Sequence, residues 1–285
     1  MLDRNDFVYP GGGLIGALVD RLVTCTALLR VRRAIASRLP FMTLASDVED
    51  IVYCTWVVDL AAVAHLVPPD VTLMERDGKT LFTILTYAHR HFGPTLAGPL
   101  RRLLPSPLQS NWRFYVDTFP GDAESGSTVL FVRNVFDNPL YAIGCRLFSD
   151  ALPAHVADRM QHVAGDGRYS TTILGGSGSA PDFQCDAVAS TSRALPASLT
   201  PFFDSWDGAL SFLCLQHGAI THVDDCGRLA YGTIDLPIDI DTVQPLEAVG
   251  DTTGGEFLER IGAVGVPFCF VVPGVEFRVL SERLV

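Results

Sequence analysis

The chain has 285 residues, a formal net charge of −11 and a pI near 5.0, so its field repels nucleic-acid phosphates, and binding them would require a local basic stripe. Apolar residues make up 48% of it and charged residues only 19%, which excludes a disordered chain and supplies a large core. Twenty of the 21 basic residues are arginine, and Lys79 is the sole lysine, so a side-chain amine nucleophile has one possible source.

Residues 11–36 carry helical patterning, but Asp20, Arg21, Arg30, Arg32 and Arg33 interrupt it. That is too much charge for a signal peptide or a membrane span. It reads as an amphipathic N-terminal helical extension over residues 1–40, with Arg30, Arg32, Arg33 and Arg38 on a solvated face. Pro40–Ile51 reads as a connector. Asp59–Leu66 reads as a short helix capped by Asp59 and ended by Pro68-Pro69. Asp77-Gly78 is a strong turn signal between strands Thr72–Arg76 and Thr80–His89.

The proline-rich stretch 93–110 reads as a loop with one helical turn near Leu100–Leu104. Trp112–Phe119 and Thr128–Phe136 form a second predicted hairpin across the polar loop Pro120–Ser127. Asp137–Leu147 is a predicted helix with Pro139 in its first turn. His155–Val163 and Arg168–Leu174 flank Gly165-Asp166-Gly167 as a third hairpin. A Gly/Ser loop (Gly175–Pro181), strand Phe183–Ala189, helix Trp206–His217 and the pair Ala219–Val223/Arg228–Ile234 follow. Helix Thr252–Ile261 and a hairpin of Val266–Val272 and Val275–Leu280 over Pro273-Gly274 end the chain. The pattern predicts one α+β domain dominated by antiparallel strands.

The seven cysteines (25, 54, 145, 185, 214, 226, 269) contain no C-x-x-C pair. This predicts reduced, mostly buried thiols in a cytoplasmic protein, rather than a disulfide framework or a zinc site. Gly11-Gly12-Gly13 and Gly175-Gly176-Ser177-Gly178 lack the strand–glycine–helix context of a phosphate loop, and no Gly-x-Ser-x-Gly elbow occurs. No cofactor is predicted.

Strand alternation puts Asn111, Arg113, Tyr115 and Asp117 on one face. That face either meets water or lines a cavity. In a cavity, Arg113 would clamp a carboxylate or enolate oxygen while Asn111 and Tyr115 orient the substrate. Tyr87, His89 and His91 share another strand face, but no nearby Asp, Glu or Cys completes a ligand set, so no metal is predicted.

Four segments in order resemble the DUF2071 family, which is similar in fold to acetoacetate decarboxylase. They are LAAVAHLVPPDVTLMERDGKTLFTIL (residues 60–85), NWRFYV (111–116), AIGCRLFSDALPAHVADRM (142–160) and GRLAYGTIDLP (227–237). The resemblance covers residues 41–285. It implies an acetoacetate decarboxylase-like domain: an antiparallel β-barrel-like core with surrounding helices and a ligand cavity, plus the extra N-terminal helix.

In the decarboxylase branch a Schiff-base lysine follows the Leu-Pro turn. Here that stretch is Leu152-Pro153-Ala154-His155, and Lys79 sits at a hairpin turn, so Schiff-base chemistry is excluded. The chain also departs from the family at Phe212–His217 and Asp235–Asp239. His155 becomes an acid/base candidate, with an exposed strand-start histidine as the plain alternative. Arg146 either pairs with a carboxylate or faces the cavity.

The expected function is cofactor-independent proton-transfer chemistry (lyase, isomerase or cyclase type) on a small carbonyl or carboxylate metabolite, in a specialised biosynthetic pathway. Arg113, His155 and Tyr115 are the catalytic candidates, and Asn111, Tyr87 and Arg146 the substrate-binding ones. The alternative is a non-catalytic carrier or sensor using the same cavity. The expected partner is a small molecule, with no nucleic acid and no membrane span; a homo-oligomer is compatible with the composition.

Overall fold

Residues 51–58 read Ile-Val-Tyr-Cys-Thr-Trp-Val-Val, a β-branched and aromatic run that favours strand over helix. They form the centre of β1 (Leu44–Asp59). The computed structural model describes residues 6–121, 127–250 and 252–285. The strands after β1 are β2 (Thr72–Leu73), β3 (Glu75–Arg76), β4 (Lys79–Pro94), β5 (Leu108–Thr118), β6 (Thr128–Phe136) and β7 (Ala154–Val156). Then come β8 (Arg159–Gly165), β9 (Arg168–Leu174), β10 (Phe183–Ala189), β11 (Gly218–Val223), β12 (Arg228–Asp235), β13 (Gln244–Ala248) and β14 (Phe268–Leu284). The helices are α1 (Gly13–Val23), α2 (Thr26–Ala36), α3 (Leu60–Val63), α4 (Pro139–Phe148), α5 (Trp206–Cys214) and α6 (Gly255–Ile261).

The order β1-β4-β5-β6-β11-β12-β14 closes on itself through β14–β1 pairing, giving a seven-stranded barrel. Every join is antiparallel except β6–β11, which is parallel. From β14 the sheet continues through β13, β10, β9 and β8 and folds back over the barrel. Between these two layers Val52, Cys54, Trp56, Phe82, Trp112 and Phe114 pack on Met160, Ile173, Phe183 and Cys185. The alternate residues Ile51, Tyr53, Leu81 and Tyr115 point the other way and meet Leu210 and Leu213 of α5. No helix among the described residues is long and apolar enough to cross a membrane.

The Asp-Gly turns form as predicted, although of the predicted strand Thr72–Arg76 only Glu75–Arg76 pairs with β4, while Thr72–Leu73 pairs with β5 instead. Asp77-Gly78 (φ 52° and 74°) and Asp166-Gly167 (φ 51° and 72°) both hold two successive positive φ values, the backbone a type I′ turn needs. Elsewhere the structure corrects the sequence reading. The predicted connector at 40–51 is largely strand: β1 begins at Leu44, its charged Asp47, Glu49 and Asp50 tolerated because their side chains reach solvent. The predicted closing hairpin is one 17-residue strand, β14. Pro273, which has no N–H to give a ladder, falls opposite Asp50, where β1 adopts φ 52° and the β1–β4 register shifts. The Pro-Gly signal is thus absorbed by a bulge instead of making a turn.

The helical leader is two helices broken at Thr24-Cys25, and of the arginines expected on a solvated face Arg32 and Arg33 instead pair with Asp150, Arg33 also with Asp225. Helix α3 gives way to a 3-10 turn at Ala64–Leu66, and Asp59 makes no side-chain cap. Stretch 93–110 is 3-10 turn over Thr95–Leu103 before β5 starts. The strand predicted over His155–Val163 is split between β7 and β8. Helix α5 stops at Cys214, and α6 starts at Gly255. Part of the predicted loop Pro120–Ser127 lies outside the described residues.

Candidate functional site

Alternation along β5 carries Asn111, Arg113 and Tyr115 to the face shared with α5, and all three are buried. Arg113 is 3% exposed. Its Nη2 donates to the Leu213 carbonyl at the C-terminal end of α5 (2.8 Å), and its guanidinium carbon lies 5.5 Å from the ring centroids of both Tyr53 and Tyr115. Its Nε has no partner, and no carboxylate among the described residues pairs with it. A guanidinium shut away from water beside one carbonyl and two tyrosines, with no carboxylate, is under-compensated.

Tyr115 shares this environment. Its hydroxyl lies 3.0 Å from Thr83 Oγ1, which lies 2.9 Å from Thr55 Oγ1, and it also donates weakly toward the Leu213 carbonyl at 3.4 Å. Burial raises the Tyr115 pKa, against the lowering effect of Arg113; Tyr53 and Tyr87 are pushed up by burial too. All three phenols therefore stay protonated; Tyr87 and Tyr115 donate hydrogen bonds, while the buried Tyr53 hydroxyl has no partner in hydrogen-bonding geometry.

Further along the same face, the Tyr87 hydroxyl donates to Asn111 Oδ1 (2.9 Å), and Asn111 Nδ2 donates to Asn134 Oδ1. His89 continues the network, with Nε2 2.6 Å from Gln109 Oε1 and Nδ1 2.8 Å from Ser46 Oγ. Beside α5, a groove of about 510 Å³ is lined by residues including Met74, Asp117, Phe203 and Phe212. Phe212 packs on Tyr115, ring centroids 5.1 Å apart and tilted by 40°, and so stands between the groove and the buried arginine. The volume lies within the range of small-molecule sites.

His155 and Arg146 lie elsewhere. Ala154 pairs with Asn134 across β6–β7, so alternation sends His155 to the other side of the strand, with Val135. There His155 is 0% exposed, with Nδ1 2.8 Å from Ser179 Oγ. Burial, then Arg146 and Arg133, hold its pKa well below the ordinary value, so it is neutral at neutral pH. Arg146 donates its Nε–H to the Ala154 carbonyl and covers the Phe7 ring at 4.5 Å.

Asp6 lies 4.0 Å from both Arg146 Nη2 and His155 Nε2, and accepts from Arg133 Nη2 at 2.7 Å. Replacing Asp6 with asparagine should cost about 1–3 kcal/mol, the range for a charge-assisted hydrogen bond. Urea unfolding checks this; an unchanged midpoint would show the contact to be without weight.

Sequence reasoning missed Tyr53, Thr83, Asn134 and Gln109 as neighbours of Arg113 and Asn111. Only strand register reveals them: Thr83 pairs with Arg113, and Asn111 pairs with both Leu85 and Asn134. His91 leaves the strand alternation altogether, at φ 53°, and lies 3.5 Å from Asp47 at the surface.

His89 provides a pH prediction. Burial lowers its pKa from 6.5 to about 4, so the unfolded chain binds the proton more readily. Stability is complete above pH 6.5 and falls as pH drops from there toward 4. This gap corresponds to roughly 3 kcal/mol. His162 and His155 are shifted in the same direction. Urea midpoints measured from pH 8 to pH 4 should fall, and His89→Gln should flatten part of the slope; an equal slope in the variant would remove His89 as a cause.

The profile of the family DUF2071, described as an uncharacterized conserved protein, matches residues 46–219. No curated protein matches the sequence. Among solved structures, an acetoacetate decarboxylase-like enzyme from Sphingomonas wittichii RW1 superposes with a TM-score of 0.57 at 11% identity, covering 87% of this chain and 94% of that one. The enduracididine biosynthesis enzyme MppR complexed with pyruvate gives 0.54 at 13% identity, over 86% and 91% of the two chains. An acetoacetate decarboxylase gives 0.53 at 13% identity, over 87% and 90%. At these identities the likeness is one of fold.

Proposed function

The chain belongs to the DUF2071 family and has the acetoacetate decarboxylase-like fold, and from that premise we propose that it is an enzyme acting on a small 2-oxo acid or related carbonyl–carboxylate compound. The observation that carries this is Arg113, a buried cation with no counter-charge among the described residues. A substrate carboxylate or a developing enolate supplies the missing anion.

In this reading the Leu213 carbonyl, which now accepts from both Arg113 and Tyr115, marks where a substrate oxygen sits. The ligand enters by the groove beside Phe212 and displaces the end of α5. Tyr115, protonated and oriented by Thr83, donates to the oxygen on which charge develops. Tyr87 and Asn111 fix the ligand's other end. His155 and Arg146, grouped around Asp6, take no part in this step. MppR has been crystallised with pyruvate and with the condensation product of pyruvate and imidazole 4-carboxaldehyde, and this supports the choice of ligand class.

Binding without turnover is the second reading. It is favoured by the raised pKa values of Tyr53, Tyr87 and Tyr115, which leave no phenolate base beside Arg113. One measurement separates the two: proton NMR of pyruvate in deuterated buffer. The enzyme is expected to exchange the methyl protons, water admitted with the ligand accepting each one as the enolate forms against Arg113, without inactivation by borohydride. Binding with no exchange would establish the carrier, and no binding at all would overturn the site.

A further inference from the structure

Three of the seven cysteines converge from three strands. Cys54 on β1 and Cys269 on β14 are direct register partners where the barrel closes. Cys185 on β10 reaches them from the covering sheet. Cys54 Sγ lies 3.7 Å from Cys185 Sγ and 3.7 Å from Cys269 Sγ, and the three sulfurs all lie within 4.8 Å of one another. All three are free thiols, at most 4% exposed.

Thiolates bound at about 2.3 Å to a shared ion stand about 3.8 Å apart on a tetrahedron and about 4.0 Å apart in a planar triangle. The two 3.7 Å spacings from Cys54 are already close to both, and the third pair lies within 4.8 Å. A cysteine that packs only as a small hydrophobe needs no second or third sulfur beside it. The surroundings are apolar: Val52, Val271, Ala187 and Leu246 belong to the same buried cluster. The Thr252 hydroxyl, 3.9 Å from Cys185 Sγ, is directed at a sulfur. No histidine or carboxylate among the described residues joins the trio as a fourth ligand. Zinc favours a closed set of four, whereas a soft ion accepts fewer donors, all sulfur.

We propose that Cys54, Cys185 and Cys269 bind one thiophilic cation of low coordination number, of the Cu(I) class, as a clamp between the barrel and its covering sheet. Each coordinating sulfur gives up its proton to solvent on binding. The site is independent of the Arg113 chemistry, so either can fail without the other.

The test uses the full chain with its two exposed cysteines removed (Cys25→Ser/Cys226→Ser) as reference. The reduced protein is titrated anaerobically with Cu(I) against a chromogenic Cu(I) chelator, both folded and refolded in the presence of the ion. The reference protein should retain one equivalent, gain a sulfur-to-copper charge-transfer band in the near ultraviolet, and melt at a higher temperature. Cys185→Ala in the same background should hold the ion at least a hundredfold more weakly while keeping its circular dichroism. Cys185→Ser serves if the alanine variant does not fold. Equal retention with and without Cys185, no retention by the reference protein in either preparation, or a preference for Zn²⁺ over Cu(I) would each overturn the proposal.

Discussion

Arg113→Met should abolish pyruvate binding and methyl-proton exchange while leaving a folded protein. Methionine fills much of the same volume without bringing a charge, so the buried guanidinium is replaced by an apolar chain. Folding then loses one charge-assisted bond to the Leu213 carbonyl, at a cost of about 1–3 kcal/mol. Ligand binding loses far more, because a carboxylate drawn into this interior would face no cation. Leaving one partner of a buried pair uncompensated costs about 3–5 kcal/mol, which is a hundredfold or more in affinity. Arg113→Lys should fall between the two, since an ammonium keeps the charge but not the planar fork. Calorimetric titration of each variant with pyruvate, paired with its thermal unfolding curve, reads both effects. Wild-type affinity in the methionine variant would remove Arg113 from the site.

The largest effect on stability is expected at Trp112. Its side chain is 0% exposed, and its ring lies 5.1 Å from Phe257, 6.0 Å from Phe183 and 6.2 Å from Phe82. Those partners belong to α6, β10 and β4, so one indole joins the barrel to the layer that covers it. Its N–H donates to Ser110 Oγ at 3.1 Å, leaving no buried polar atom unmet. Trp112→Ala should cost about 3–5 kcal/mol, through lost burial and the cavity left behind. At about 2–4 °C per kcal/mol for a chain of this size, the melting temperature should drop by roughly 10 °C. Trp112→Phe should recover most of it. A loss under about 1 kcal/mol for the alanine variant would show that the two layers are not tied through this ring.

The parts of the fold legible in the sequence are those governed by local geometry. Asp77-Gly78 and Asp166-Gly167 each determine a turn within four residues, and strand alternation alone places Asn111, Arg113 and Tyr115 together. The order of four motifs between Leu60 and Pro237 carried the family and, through it, the barrel. What could not be read depends on distant partners. Pro273-Gly274 has the local signature of a turn, and only the bulge at Asp50 on another strand allows β14 to run through it. Asn134 joins Asn111 because β5 and β6 pair with a register shift between Trp112 and Arg113, which no pattern in either strand announces. The separation of His155 from Arg113 turns on a single residue of alternation in the short strand β7. Asp6 meets Arg133 across 127 residues of chain, a pairing that charge counts do not reveal.

The solitary lysine, read first as a negative result about Schiff bases, has a constructive side. Lys79 is exposed and pairs in the β3–β4 hairpin with Arg76, which lines the groove beside α5. Amine-directed chemistry above neutral pH would therefore decorate the folded surface at one defined side chain. A fluorophore attached there stands at the rim of the proposed entrance and would report occupancy by a change in emission. With the α-amino group blocked, the same lysine could tether the chain to a sensor chip in a single orientation without introducing a cysteine.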